Sequence, residues 1–196
     1  MKLELQKQLF DKYPLIFQDK DKSMQETCMC WGIECNDGWY WLLDRLCSNL
    51  QWNTDHNNKA HMTVYRFEII RKLLMFIARK NNPWLVKNKG KKYKHWIHKN
   101  MHKLVGLLRK EVEYERYPQI IASQVKEKYG GLRFYVQSST GAQDAVISWA
   151  ESLSYHICDK CGSTENIGST EGWIITLCEK CSKLEEYNNR IWEKNK

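Results

Sequence analysis

The chain has 196 residues, 42% hydrophobic and 28% charged, ordinary proportions for a soluble globular protein of one domain or two small ones. Nine Trp help lift the aromatic share to 12%, and no apolar run reaches the roughly 18 residues of a membrane span, so wholesale disorder and a spanning helix are both excluded. The net charge of +8 is unevenly spread: residues 66–110 hold 14 Lys/Arg against Glu68 alone, which leaves the remainder net acidic.

Residues 1–12 predict a short amphipathic helix, with Leu3, Leu5, Leu9 and Phe10 as its apolar side. The same stretch has no apolar signal region, so a reducing cytoplasm is expected and the eight Cys are read as thiols or metal ligands. Tyr13–Phe17, around Pro14, reads as an extended packed segment, and residues 18–27 as polar loop. Cys28–Cys35 is short and apolar, and Asn36-Asp37-Gly38 breaks it. A helix is predicted from Trp39 to about Trp52, buried through Trp39, Leu42, Leu43, Leu46, Cys47 and Leu50, with Asp37 or Asn36 as its cap. Residues 53–62 read as loop. Two basic helices follow, over about 63–80 and 94–117, closed by Asn81-Asn82-Pro83 and by Pro118.

The period then changes. Leu132, Phe134 and Val136 alternate as in a strand, and Tyr129-Gly130-Gly131 between two such runs predicts a β-hairpin. Its outer face carries Arg133, Tyr135 and Gln137 on one strand and Lys126 and Lys128 on the other, in a register that sequence leaves open. A helix over 139–157 is expected to be buried through Val146, Trp149, Ala150, Leu153 and Ile157. A charged terminal helix is expected at about 182–194. The expected fold is therefore α+β: a helical N-terminal part with a β-hairpin over 1–157, a basic helical insertion at about 53–117, and a four-cysteine zinc ribbon with the terminal helix over 158–196.

The strongest chemical motif is Cys158-x-x-Cys161 with Cys178-x-x-Cys181, two knuckles separated by 16 residues. Paired knuckles turn thiolates toward one point and suit structural, tetrahedral zinc. A redox dithiol is the alternative. Cys28, Cys30, Cys35 and Cys47 match no common zinc spacing and are expected to be buried thiols, with a second metal site as the alternative. In the basic segment, Lys87, Lys89, Lys91, Lys92, Lys94, Lys99 and Lys103 interleave with Trp84, Tyr93 and Trp96, a pattern that suits phosphates and stacked bases. A solvated basic face is the plain alternative. His95, His98 and His102 share a helical face there, and they are expected to extend the basic surface rather than to hold a metal. On the hairpin, Lys126, Lys128, Arg133 and Tyr135, with Trp39, form a candidate phosphate or carboxylate pocket in which Glu127 orients Arg133, and a solvated face with cross-strand ion pairs is the plain alternative. No G-x-S-x-G, H-E-x-x-H or G-x-x-x-x-G-K occurs, so no enzyme is expected; a metal-dependent nuclease using Glu34, Asp37 and His56 is the alternative.

Three blocks occur in one order: Gly32-Ile33-Glu34-Cys35-Asn36-Asp37-Gly38-Trp39-Tyr40 with Leu46-Cys47, then Gln124 to Tyr135, then the paired knuckles. This order resembles a family of small, largely uncharacterised zinc-ribbon proteins encoded by tailed phages and prophages. The resemblance covers about residues 10–52 and 119–182, and the basic segment between them stands outside it. It implies the cytoplasm of an infected bacterium as the setting. The expected function is a non-enzymatic accessory protein with structural zinc that binds a phosphate-bearing ligand, nucleic acid first. The alternatives are a sponge for a host nucleotide immune signal and a protein–protein inhibitor of a host defence or transcription factor.

Overall fold

The computed structural model describes residues 1–57 and 117–195. The two basic helices expected between 63 and 117 lie outside the described residues, as do Lys87, Lys89, Lys91, Lys92, Tyr93, Lys94, Trp96, Lys99 and Lys103. The chain divides into two compact units, Met1–Asp55 with Tyr117–Lys196, and His56–Arg116. The knuckles belong to the same unit as the N-terminal part.

The first unit is mixed α+β. Helix α1 spans Leu3–Lys12 and buries Leu9, while Leu3 faces solvent. The segment after it is a run of turns rather than an extended strand, because Tyr13 closes helix α1 and its carbonyl accepts from the N–H groups of Ile16 and Phe17. Both of those side chains are nevertheless fully buried. A 3-10 turn over Cys28–Trp31 is capped by Thr27, whose hydroxyl accepts from the Met29 N–H at 3.2 Å. Strand β1 (Ile33–Glu34) follows, and then helix α2, which runs through residues 40–57. The predicted inner positions Leu42, Leu43, Leu46, Cys47 and Leu50 are all buried. Neither Asn36 nor Asp37 caps the turn at Asp37–Trp39 that precedes α2 with its side chain. The Asp37 carboxylate instead accepts from the backbone N–H of Lys2 at 2.8 Å.

Strands β2 (Ala122–Lys128) and β3 (Gly131–Val136) form the predicted antiparallel hairpin. Strand β1 joins β2 in parallel, which gives one three-stranded sheet in the order β1-β2-β3. The inner face carries Val125, Leu132 and Phe134 onto a core that includes Phe17 and Trp39. Helix α3 (Gly141–Ser154) opens with a capping box between Thr140 and Gln143. Its buried positions are Gln143, Ile147, Ala150 and Ser154, and Trp149 lies 65% exposed, contrary to the predicted face. The other predicted residues do face the core, with Ala150 and Ile157 buried and Val146 and Leu153 packed against it, and two polar side chains join them because they have partners inside. Ser154 Oγ accepts from the Leu132 N–H at 2.8 Å, and the Gln143 amide donates to the Pro118 carbonyl at 2.9 Å.

The C-terminal part is a second sheet, β4 (Ile167–Thr170), β5 (Thr176–Cys178) and β6 (Trp192–Lys194), with β4 in the middle and both partners antiparallel to it. The expected terminal helix is absent. Helix α4 covers only Glu179–Ser182, and the chain turns back so that β6 covers the open edge of β4. Trp192 anchors that return, its indole N–H donating to the Leu177 carbonyl at 3.1 Å.

Candidate metal centre and the hairpin groove

The knuckles are built by backbone geometry. The Gly162 N–H returns to the Cys158 carbonyl at 2.8 Å, and the Cys158 N–H donates to the Ser163 carbonyl at 2.8 Å. Cys178 ends β5 and Cys181 lies in α4, so the second knuckle is a strand-to-helix corner. The ligand atoms of Cys158, Cys161, Cys178 and Cys181 all lie within 4.8 Å of one another, with Cys161 Sγ and Cys178 Sγ 3.7 Å apart. Tetrahedral zinc with Zn–S bonds of ~2.3 Å requires sulfurs roughly 3.8 Å apart, so the four thiols fit such an ion. Burial pushes the Cys158 and Cys181 thiols up. Burial also opposes ionisation of Cys178, but the Cys181 N–H and the neighbouring thiols outweigh it and bring Cys178 below its ordinary value. A cation at the centre would favour all four thiolates, and with four protein ligands it would keep no open position for a substrate.

The other four Cys form no such group among the described residues. Cys35 and Cys47 are buried, and burial pushes both thiols well up. Cys30 donates to the Thr27 carbonyl at 3.2 Å.

The four-cysteine cluster is docked on the N-terminal core. Asp159, between the first two Cys, is buried and accepts from the Asn36 backbone at 3.0 Å and its side-chain amide at 2.5 Å. Burial pushes the Asp159 carboxyl up, and the Asn36 bonds work against that rise. The Gly38 N–H donates to the Asp159 carbonyl at 2.8 Å.

The hairpin register brings Lys126 opposite Arg133 on the outer face, with Glu34 of β1 on the other side of Lys126. The Lys126 ammonium lies 5.9 Å from the Tyr135 ring centroid. Lys126, Lys128, Arg133 and Tyr135 are therefore brought to one face. Arg133 is held by Tyr155, whose hydroxyl accepts from Nη2 at 2.8 Å, and by its bond to the Leu132 carbonyl. Glu127 does not orient it: that carboxylate accepts from the Gly130 N–H at 2.6 Å, and burial on the inner side pushes its carboxyl up. Trp39 is not part of this face either. It is fully buried, and its indole N–H donates to the Ile157 carbonyl at 2.9 Å. A large ring in a helical apolar pattern is first a core residue.

Sequence reasoning passed over two residues here. A groove of about 290 Å³ lies beside the hairpin tip, lined by Lys126, Glu127, Lys128, Tyr129, Gly172, Trp173 and Ile174. In the sequence Tyr129 reads as a turn residue and Trp173 as part of a strand-like run, and neither pattern marks a site. The signal was the Tyr-Gly turn itself, where Asn-Gly or Asp-Gly is the usual choice. No helix among the described residues is long and apolar enough to cross a membrane. Comparison with known proteins finds no matching family model, no matching curated protein and no matching solved structure.

Proposed function

We propose that this is a metal-stabilised phage accessory protein that binds a phosphate-bearing ligand, nucleic acid foremost, and acts by binding rather than by catalysis. One observation carries the reading: Lys126 and Arg133 face each other across the hairpin ladder, beside Lys128. Like charges directly opposite on a sheet are unfavourable; Glu34 of β1 flanks Lys126 on its other side, and a bound phosphate on the Arg133 side would offset the charge that remains. The rings of Tyr135 and Tyr129 beside these cations supply a stacking surface for a nucleotide base. The basic stretch 66–110 adds long-range attraction for a polyanion.

The test is binding to mixed single- and double-stranded oligonucleotides across a salt series. The expected result is a linear fall of log affinity with log salt, with a slope of several released counterions. Replacing Lys126 and Lys128 by Ala is expected to flatten that slope by about one for each lysine. Absence of binding at low salt rejects the nucleic-acid reading.

A further inference from the structure

Tyr129 and Trp173 are held out into solvent by backbone that is itself pinned. Tyr129 has φ 53°, in the left-handed region, and Gly130 follows at φ 75°. A bulky side chain in that region is an outlier, whereas Asn or Gly would occupy it without difficulty. Such strain persists only where surrounding structure enforces it, and it concentrates where a side chain has work to do. The enforcement is visible. The Gly130 N–H is taken by Glu127, and its carbonyl accepts from Thr176 Oγ1 of β5 at 2.6 Å. A Cβ on Gly130 would also meet Ile174 Cγ2 at 2.9 Å and Thr176 Oγ1 at 3.1 Å, so the tip fits closely against β5 and the residues before it. On the other wall the Trp173 carbonyl accepts from Thr170 Oγ1 at 2.7 Å and from Arg190 Nη1 at 3.0 Å. Yet Tyr129 is 67% exposed and Trp173 is 71% exposed.

We infer that this groove is a stacking subsite for an unpaired base of a single-stranded nucleic acid, with Tyr129 and Trp173 as its rings and Lys126 and Lys128 on the adjoining phosphates. The inference rests on the nucleic-acid reading and narrows it. At about 290 Å³ the cavity lies just below the roughly 300–1,000 Å³ range of ligand sites, the right order for one base rather than a paired duplex. Its charge also fits. Lys126 and Lys128 lie on one side of β2, Glu34 of β1 flanks Lys126 outside the lining, and the one acid of the lining, Glu127, is committed to the Gly130 N–H. Rings stack on any base, so the subsite selects strandedness and not sequence.

The experiment compares a twelve-nucleotide thymidine strand with an abasic strand of equal length and charge, on the full zinc-loaded chain at fixed salt. The base-bearing strand is expected to bind at least about five-fold more tightly, the lower bound for one stacked base. Trp173→Leu and Tyr129→Asn should each bring that ratio toward one while keeping the salt slope and the zinc content. Equal binding of both strands by the wild-type chain overturns the subsite and leaves the phosphate-binding function standing. An unchanged ratio in both variants overturns the assignment to these rings. Free thymidine monophosphate that displaces the strand at micromolar concentration overturns the single-strand assignment in favour of a mononucleotide. If neither strand binds, the subsite and the wider function fall together.

Discussion

Gly38 is the residue on which the metal centre's docking turns. A Cβ there would lie 2.2 Å from the Cys158 carbonyl oxygen, 2.5 Å from that of Asp159 and 2.5 Å from the Gly162 nitrogen. All three are backbone atoms of the first knuckle, so none can swing aside as a flexible side chain would. Gly38→Ala should cost about 2 kcal/mol or more, in the range for forced overpacking, read as a fall in the thermal midpoint. An unchanged midpoint would mean that the knuckle is not seated on residue 38. Asp44 makes a different kind of contact, joining α1 to α2. Its carboxylate accepts from Lys12 Nζ at 2.6 Å and from the Tyr13 hydroxyl at 2.9 Å. Burial pushes the Asp44 carboxyl up, but those two partners outweigh it and hold it below the ordinary carboxylate value. A carboxyl lowered by folding stabilises the fold fully above its unfolded pKa, and the gain fades as pH falls through the folded one. Asp44→Asn should therefore be less stable than wild type at pH 7, with the gap closing toward pH 3. Melting curves at both pH values decide it, and a constant gap counts against the ionised contact.

At the scale of elements, the knuckle pair and its sheet are expected to depend on a metal held by the four thiols. The cluster packs only a small set of buried residues with it, Leu177 and Tyr187 among them. A core that small gains much of its order from ligation, because metal binding and folding are linked. Chelation, or Cys178→Ser, should lower the thermal midpoint by several degrees and remove close to one zinc per chain, measured by elemental analysis. Full zinc content in the variant would sink the four-thiolate site. These elements were legible in the sequence to different depths, for physical reasons. Helix α2 and the hairpin were plain because their apolar residues repeat at the period of the element, and the Cys spacing was plain because a tetrahedral ion dictates it. Strand β1 was hidden, since its partner β2 lies some ninety residues away and only two pairs join them. Part of the buried face of α3 was hidden, because Gln143 and Ser154 sit there through hydrogen bonds, which hydrophobic periodicity does not count. Residues 192–194 looked helical by their charges, yet an uncovered strand edge claimed them. The groove of Tyr129 and Trp173 joins two turns distant in sequence, and no local pattern pairs them.

The whole molecule separates its charge as it separates its contacts. The basic excess of residues 66–110 falls within the unit His56–Arg116, and the metal centre, both sheets and the groove fall within the other. The point where the chain leaves and re-enters that first unit is closely tied. Gln51 and Gln119 exchange amide hydrogen bonds at 3.2 and 3.0 Å. Gln143 reaches both the Thr54 hydroxyl at 3.3 Å and the Pro118 carbonyl at 2.9 Å. Closing a loop across ends already held together costs little and depends only weakly on loop length. A chain in which residues 57–116 are replaced by a short Gly/Ser linker should therefore fold and keep its zinc stoichiometry. Its oligonucleotide affinity should become much less steep in salt. Aggregation or loss of zinc in that shortened chain would show that the scaffold depends on the excised segment. The Gln143 tie has a consequence for descent as well. If the shortened chain folds, what lies between Thr54 and Pro118 can be lengthened, trimmed or exchanged without solving the folding problem again. Novelty in what such a protein grips would then be uncoupled from the inheritance of the body that holds it.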